Sequence, residues 1–251
     1  MPDALLETIE TFYDAVPRPL SDAHERGPLT LFASRVGWPY YARPTPGASQ
    51  VDESDVRAVL ALAEELDVPR TLEWVHETTP SLTEAARAAG LQVREMPLLV
   101  LEDQVADVPA AAVQVDMLGA DDPRLADAWA SVHAGFGGTD EKEPEPVAPW
   151  LADVIRDGLM CVAGAFATDG AAVGGGSYQT RGSVCELVGI ATLPSWRGKG
   201  VGAAITRRLA EDATSRGVTT VFLSAGDDAV ARVYERVGFR RVATACTAEP
   251  A

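Results

Sequence analysis

The stretch LPSWRGKGVGAAI, residues 193–205, sets three glycines and two cations between a strand-like run and a helix-like run. A helix start leaves backbone N–H groups without intrahelical acceptors and carries a partial positive charge, so it attracts phosphate. A pyrophosphate can approach only where side chains are absent and the chain turns sharply, and glycine meets both needs. Gly198, Gly200 and Gly202 stand directly before an amphipathic run, with Arg197 and Lys199 beside them. Two nucleotide-binding patterns fail on spacing. A Walker loop needs Lys-Ser/Thr after its last glycine, whereas Ala203 and Ala204 follow Gly202. A Rossmann turn needs GxGxxG and an acidic residue ending the next strand. Here the spacing is Arg197-x-x-Gly200-x-Gly202, and the next strand ends in Leu223-Ser224.

The elements that must hold this turn follow from periodicity. ELVGIAT before it reads as a strand, which puts the turn at a strand's carboxyl end, where ligands gather in open α/β sheets. GVGAAITRRLAEDATSRG places Val201, Ile205 and Leu209 at i, i+4, i+8 and closes on Gly217, the pattern of an amphipathic helix with a glycine stop. VTTVFLS reads as a buried strand. DDAVARVYERVG reads as a helix with Val230, Val233, Tyr234 and Val237 on one face and Gly238 at its end, and FRRVATACT as a last strand. Upstream, AVQVDML is a strand, DPRLADAWASVHAGF a helix opened by Asp122 and Pro123, and VAPWLADVIRDG a second helix. LMCVAGAFAT and AAVGGGSYQT flank the hairpin signal Asp169-Gly170, and SVCELVGIAT is the third strand of the group. The predicted order is β-α-α-β-β-β-α-β-α-β, with residues 137–149, GGTDEKEPEPVAP, as a long loop.

Arg197-x-x-Gly200-x-Gly202 at a strand–helix junction, followed about 35 residues later by a helix ending VYERVGF, resembles the GNAT (Gcn5-related) N-acetyltransferases. In that family the first signature is Q/R-x-x-G-x-G/A and the second a helix with an aromatic near its end followed by Gly-Phe, here Tyr234, Gly238 and Phe239. The resemblance implies an α/β (α+β) acyl-CoA N-acyltransferase fold, a mixed central sheet flanked by helices. It implies an acetyl-CoA-dependent N-acetyltransferase in which a primary amine attacks the thioester directly in a ternary complex, with acetyl-CoA as cosubstrate and no metal. The backbone N–H groups of Gly198, Lys199, Gly200, Val201 and Gly202 would cradle the pyrophosphate, with the charge of Arg197 beside them as a further cofactor contact. Ile190, Ala191 and Thr192 would pair with the pantetheine arm in a V-shaped slot between ELVGIAT and VTTVFLS. Tyr234 matches the position of the family's usual acid, and its ordinary pKa of about 10 suits a group that keeps its proton at neutral pH. The other reading of Tyr234 is a core-facing aromatic. Glu186 matches the general base of the family's histone acetyltransferases, and burial in CELVGIAT would raise its pKa. An edge ion pair or a solvent-facing residue is the other reading of Glu186, and His133, Asp140 or a water wire are other candidate bases.

Two departures from the family pattern stand out. Asp227 occupies the position where many relatives carry an asparagine near the cofactor. A single strand follows Gly238-Phe239 where the family has two, so PLLVLE or a partner subunit would have to supply the missing one.

The N-terminal half repeats the grammar faintly. SLTEAARAAGLQVRE parallels AVARVYERVGFRRVA, but Ala86 stands where Tyr234 would be, and RPTPGASQVDESDV has one glycine and no RxxGxG. Residues 1–105 therefore read as a degenerate GNAT-like domain and 106–251 as the catalytic one, with the boundary in LEDQVADVPAAA. The degenerate half is expected to cover a sheet edge and wall the acceptor site. Trp38, Tyr40 and Tyr41 in GWPYYARP would serve as packing or as acceptor contacts.

The chain has 251 residues, 47% hydrophobic and 23% charged, a globular composition. A net charge of −16 repels nucleic acid and anionic membranes and attracts a cationic amine. MPDALLETIE lacks the basic and apolar regions of a signal peptide, and no apolar run reaches about 18 residues. Three scattered cysteines, Cys161, Cys185 and Cys246, fit a reducing compartment, so a cytoplasmic monomer or homodimer is expected. Two further functional readings share the turn: a non-catalytic acyl-CoA-binding sensor or partner subunit, and a transferase using another acyl-CoA.

Overall fold

The structure, a computed structural model, describes residues 4–36, 38–143 and 145–250. Gly37 in GWPYYARP and Pro144 in the long loop lie outside the described residues. The chain divides into two compact units, Met1–Leu98 with Val242–Ala251, and Leu99–Arg241.

The first unit holds α1 (Ala4–Ala15), β1 (Ser21–Arg26), β2 (Leu29–Ser34), β3 (Ala42–Pro44), α2 (Glu53–Glu65), β4 (Leu72–Val75), α3 (Ser81–Ala88) and the start of β5 (Leu91–Leu101). Strands β1, β2 and β3 pair antiparallel in turn, and β3 pairs parallel with β4 at Ala42↔Leu72. Helix α1 buries Leu6, Ile9, Phe12 and Tyr13, a helical spacing present in the sequence. Strand β1, SDAHER, has one buried residue, so its pairing with β2 rests on backbone hydrogen bonds that no apolar pattern announces. LQVREMPLLVLE forms one eleven-residue strand despite Pro97.

The core of this unit gathers Leu29, Leu31, Val56, Val59, Leu72, Trp74 and Leu82. Tyr40 is buried, and Tyr41 lies edge-on to Phe32 at 6.5 Å. The fully buried Arg43 is ion-paired with Glu10 and lies 4.7 Å from the Tyr13 ring centroid, which offsets part of the cost of burying its charge.

The second unit carries β6 (Gln114–Leu118), α4 (Leu125–Phe136), α5 (Pro149–Arg156), β7 (Met160–Phe166), β8 (Ala172–Arg181), β9 (Val184–Thr192), α6 (Val201–Ser215), β10 (Thr220–Ser224), α7 (Asp228–Glu235) and the start of β11 (Phe239–Pro250), in the expected order. Its sheet is mixed: β6 to β9 pair antiparallel in sequence, and β9 pairs parallel with β10. The end of β5, Leu99–Leu101, lies beside β10, so the strand missing after FRRVATACT comes from PLLVLE. Leu99 and Leu101 accordingly share a core with Val221, Leu223, Ile205 and Leu209.

Glycines thin the middle of this sheet. A Cβ at Gly175 would stand 3.1 Å from Val132 Cγ2 of α4, and one at Gly176 would stand 3.2 Å from Ile205 Cγ2 and Leu209 Cδ1 of α6. The GGG run of β8 is therefore the place where helices close on the sheet, α4 over Gly175 and α6 over Gly176.

Candidate functional site

The parallel register of β9 and β10 runs from Val184↔Thr220 to Glu186↔Phe222. Beyond it β9 continues to Thr192, paired on its other side with β8 as far as Thr192↔Gly174. Within that stretch the register slips between Gly175 and Ser177, so Gly189 and Ile190 oppose the single residue Gly176. Gly189 takes a φ of 64°, which a side chain would resist. The bulge bends β9, and with the end of the β9–β10 pairing it gives the fork that the sequence led us to expect.

The end of β9 beyond that pairing lies on a cavity of about 1040 Å³, lined among the described residues wholly by the second unit. Ile190, Ala191 and Thr192 line it, as do Arg197, Gly198, Lys199, Gly200, Val201 and Gly202. Gly198 and Gly200 have φ of 73° and 80°, the left-handed region that glycine enters at no steric cost. Gly200 is the N-cap of α6, and no side chain caps the helix. Val201, Gly202 and Ala203 therefore present the orphan N–H groups of a helix start to the cavity. Gly202 has ordinary φ and nothing within 4 Å of a would-be Cβ, so neither backbone strain nor packing requires a glycine there.

The two cations of the turn have structural engagements. Arg197 Nη2 donates to the Gly135 carbonyl at 2.7 Å, tying the turn to the C-terminal end of α4. Lys199 Nζ sits 4.9 Å from the Trp196 ring centroid. Asp140 accepts from Ser195 N–H at 3.0 Å and Ser195 Oγ at 2.9 Å, which joins the loop after α4 to the turn. Lys142 secures the same loop, donating to Asp127 at 2.6 Å and the Ala172 carbonyl at 2.9 Å.

Tyr234 is buried on α7, its ring 6.4 Å from that of Phe239, and burial pushes its hydroxyl up to about 12. It is not among the cavity-lining residues, although Val230 and Val233 of the same helix are. Glu186, half-buried, stands at the last paired position before the fork and four residues ahead of Ile190. Asp227 is the N-cap of α7, its Oδ1 accepting from Val230 N–H at 2.8 Å, and it does not line the cavity. His133 is exposed and rests on Trp129, with ring centroids 5.6 Å apart.

Two parts of the wall escaped the sequence, the segment Asp107–Ala110 and the α7 stripe Val230, Val233 and Arg236, while Phe136 falls within residues 130–150, which were expected to wall the acceptor slot. The exposed large hydrophobics among the described residues are Leu66, Phe136 and Val230, and the last two line this cavity. An apolar ligand surface is what such side chains would meet. Among the described residues no group of His, Cys, Asp and Glu is arranged to hold a metal ion. No helix among them is long and apolar enough to cross a membrane.

Residues 126–239 match the family model of the acetyltransferase (GNAT) family. None of the curated proteins matches the chain. The chain is similar to the solved GCN5-related N-acetyltransferase from Kribbella flavida, with 22% identity and a TM-score of 0.73 over 98% of this chain and 96% of that one. It is also similar to the GCN5-related N-acetyltransferase from Sphaerobacter thermophilus, at 18% identity and TM-score 0.59 over 96% and 84% of the two chains. A putative acetyltransferase of the GNAT family from Novosphingobium aromaticivorans gives 20% identity and TM-score 0.56 over 93% and 92%. These likenesses share one fold, a mixed sheet flanked by helices.

Proposed function

We infer the function from one premise, that residues 126–239 are an acetyltransferase domain of the GNAT family: the protein moves an acetyl group from acetyl-CoA to a primary amine, by direct attack in a ternary complex. The observation that carries this reading is the meeting, in one cavity, of the end of β9 beyond its pairing with β10 and an uncapped helix start. The residues present suit acetyl-CoA. Open N–H groups at Val201–Ala203 and the glycine turn match a pyrophosphate, and Phe136, Val230 and Val233 match an apolar arm.

Acetyl-CoA supplies the thioester. The turn 198–202 holds the phosphates, and the main chain of Ile190–Thr192 orients the arm and the acetyl carbonyl. Tyr234 gives its proton to the departing thiolate. With its hydroxyl at about 12, above the ordinary value, it stays protonated from neutral pH well into the alkaline range. Activity should therefore show no alkaline fall from Tyr234 below about pH 11. Glu186, at the fork, takes the proton from the amine, directly or through water. The exposed carboxylates Glu141, Glu143 and Glu145 and the net charge of −16 favour a cationic acceptor by long-range attraction.

Residues 1–105 are a degenerate copy without a cofactor role. The support is a shortened form of the same strand pairing, two antiparallel pairs and then a parallel one where the second unit has three before its parallel pair, with a helix between the parallel strands whose start lacks the glycines of the turn.

Tyr234→Phe tests the mechanism. Turnover should fall at least about tenfold while acetyl-CoA affinity holds, because the hydroxyl acts only on the leaving group. Unchanged turnover would remove Tyr234 from the mechanism. Binding of acetyl-CoA by the wild type with no release of CoA across a panel of amines would favour a non-catalytic acyl-CoA sensor.

A further inference from the structure

Three cations line the cavity: Arg197, Lys199 and Arg236. Arg197 is spent on the Gly135 carbonyl, and Lys199 lies over Trp196. Arg236 is exposed; its backbone N–H donates to the Tyr234 carbonyl, but among the described residues its guanidinium makes no ion pair or hydrogen bond. Its neighbours in sequence differ: Arg240 pairs with Glu102, and Arg241 with Asp228 and Glu235. In a chain of net charge −16, a free guanidinium on a cavity wall is a place for an anion.

Its place on the wall narrows the choice. Helix α7 presents Val230, Val233 and Arg236 to the cavity at three-residue intervals, about 4.5 Å apart along the axis. Beside them stand Ala203 of the first turn of α6 and the segment Asp107–Ala110. The pyrophosphate is served by the N–H groups of the turn and needs no side-chain cation. The 3′-phosphate on the adenosine, a monoester dianion, has no helix start of its own, and the planar fork of an arginine fits it.

We propose that Arg236 holds the 3′-phosphate of the cofactor, so that this site discriminates acetyl-CoA from its 3′-dephospho form. The proposal rests on the acetyl-CoA reading above. Calorimetric titration of the full chain with acetyl-CoA and with acetyl-3′-dephospho-CoA tests it, in the wild type, R236A, R236K and R232A.

The wild type should bind acetyl-CoA about tenfold more tightly than the dephospho form. R236A should bind the two equally, R236K should keep part of the preference, and R232A, altered one turn earlier outside the cavity wall, should match the wild type. Equal affinity of the wild type for both ligands would overturn the proposal. So would full discrimination by R236A, or an equal weakening of both ligands, which would put Arg236 on the pyrophosphate instead. A wild type that binds neither ligand would sink the acetyl-CoA reading itself, and this inference with it.

Discussion

Helices α2 and α6 each follow a strand that pairs parallel with its neighbour, yet they begin in opposite ways. Helix α6 starts on Gly200 at φ 80°, without a side-chain cap and with no acidic residue in its first turn. Helix α2 starts on Asp52 within a capping box, where the Asp55 carboxylate accepts from Asp52 N–H at 2.9 Å, and Glu53 adds a further negative charge. The first helix start leaves its N–H groups and its partial positive charge open; the second consumes both internally. One strand–turn–helix grammar thus yields an open or a closed helix start, depending on a few residues at the junction. Glycine at the cap leaves it open, and aspartate closes it.

The largest effect should come from closing the open start. Gly200→Asp would put a side chain at positive φ, costing on the order of 1–2 kcal/mol, and a carboxylate where phosphate belongs. The Cβ itself has room, since its nearest neighbour would be Ala111 Cβ at 3.7 Å, so conformation and charge decide the outcome. Acetyl-CoA affinity should drop about 100-fold, equivalent to roughly 2.7 kcal/mol. Retained affinity in a calorimetric titration would show that the cap of α6 is not where the phosphates sit.

Gly202→Ala should sharpen the contrast with two effects of opposite sign. The position has ordinary helical φ and open space around a Cβ, so alanine should raise stability by about 0.5–1 kcal/mol through helix propensity. The same methyl stands in the path of a ligand approaching the helix start, so acetyl-CoA affinity should fall several-fold. Thermal melting and titration of one variant read both. A stabilised protein with undiminished affinity would mean that the ligand keeps away from the first turn of α6.

The turn and the placement of α7 were legible because each rests on local chemistry, glycine spacing and a Gly-Phe strand start, whereas the fork was implied by the family resemblance alone. The strand supplied by Leu99–Leu101 was partly legible, because PLLVLE is apolar but nothing local says which sheet it joins. Strand β1 was hidden by its polar residues. The engagements of the site were illegible for a different reason. Arg197 reaches Gly135 and Ser195 reaches Asp140 across 62 and 55 residues of sequence, so only the folded chain shows that these groups are already occupied. Asp140 was a candidate base on type alone; the structure finds it holding the N–H and hydroxyl of Ser195. No local pattern marks Arg236 either; only the folded chain places it on the cavity wall.

The smallest effect should come from opening the closed start, and it tests whether carboxylates alone separate the two helices. Asp52→Ala removes the cap residue of α2, which should cost about 1 kcal/mol of stability and lower Tm by roughly 2–4 °C. Acetyl-CoA should still bind with one equivalent per chain and unchanged affinity. Exposing the N–H groups of α2 restores only one part of a receptor. The segment before it, TPGASQV, has a single glycine, Gly47 at φ 89°, and no lysine or arginine, and Glu53 and Asp55 remain in the first turn. A second equivalent of acetyl-CoA bound by Asp52→Ala would show that the cap alone had silenced the first unit. The division of labour between the two helix starts would then rest on one residue, and not on the loss of the whole glycine turn.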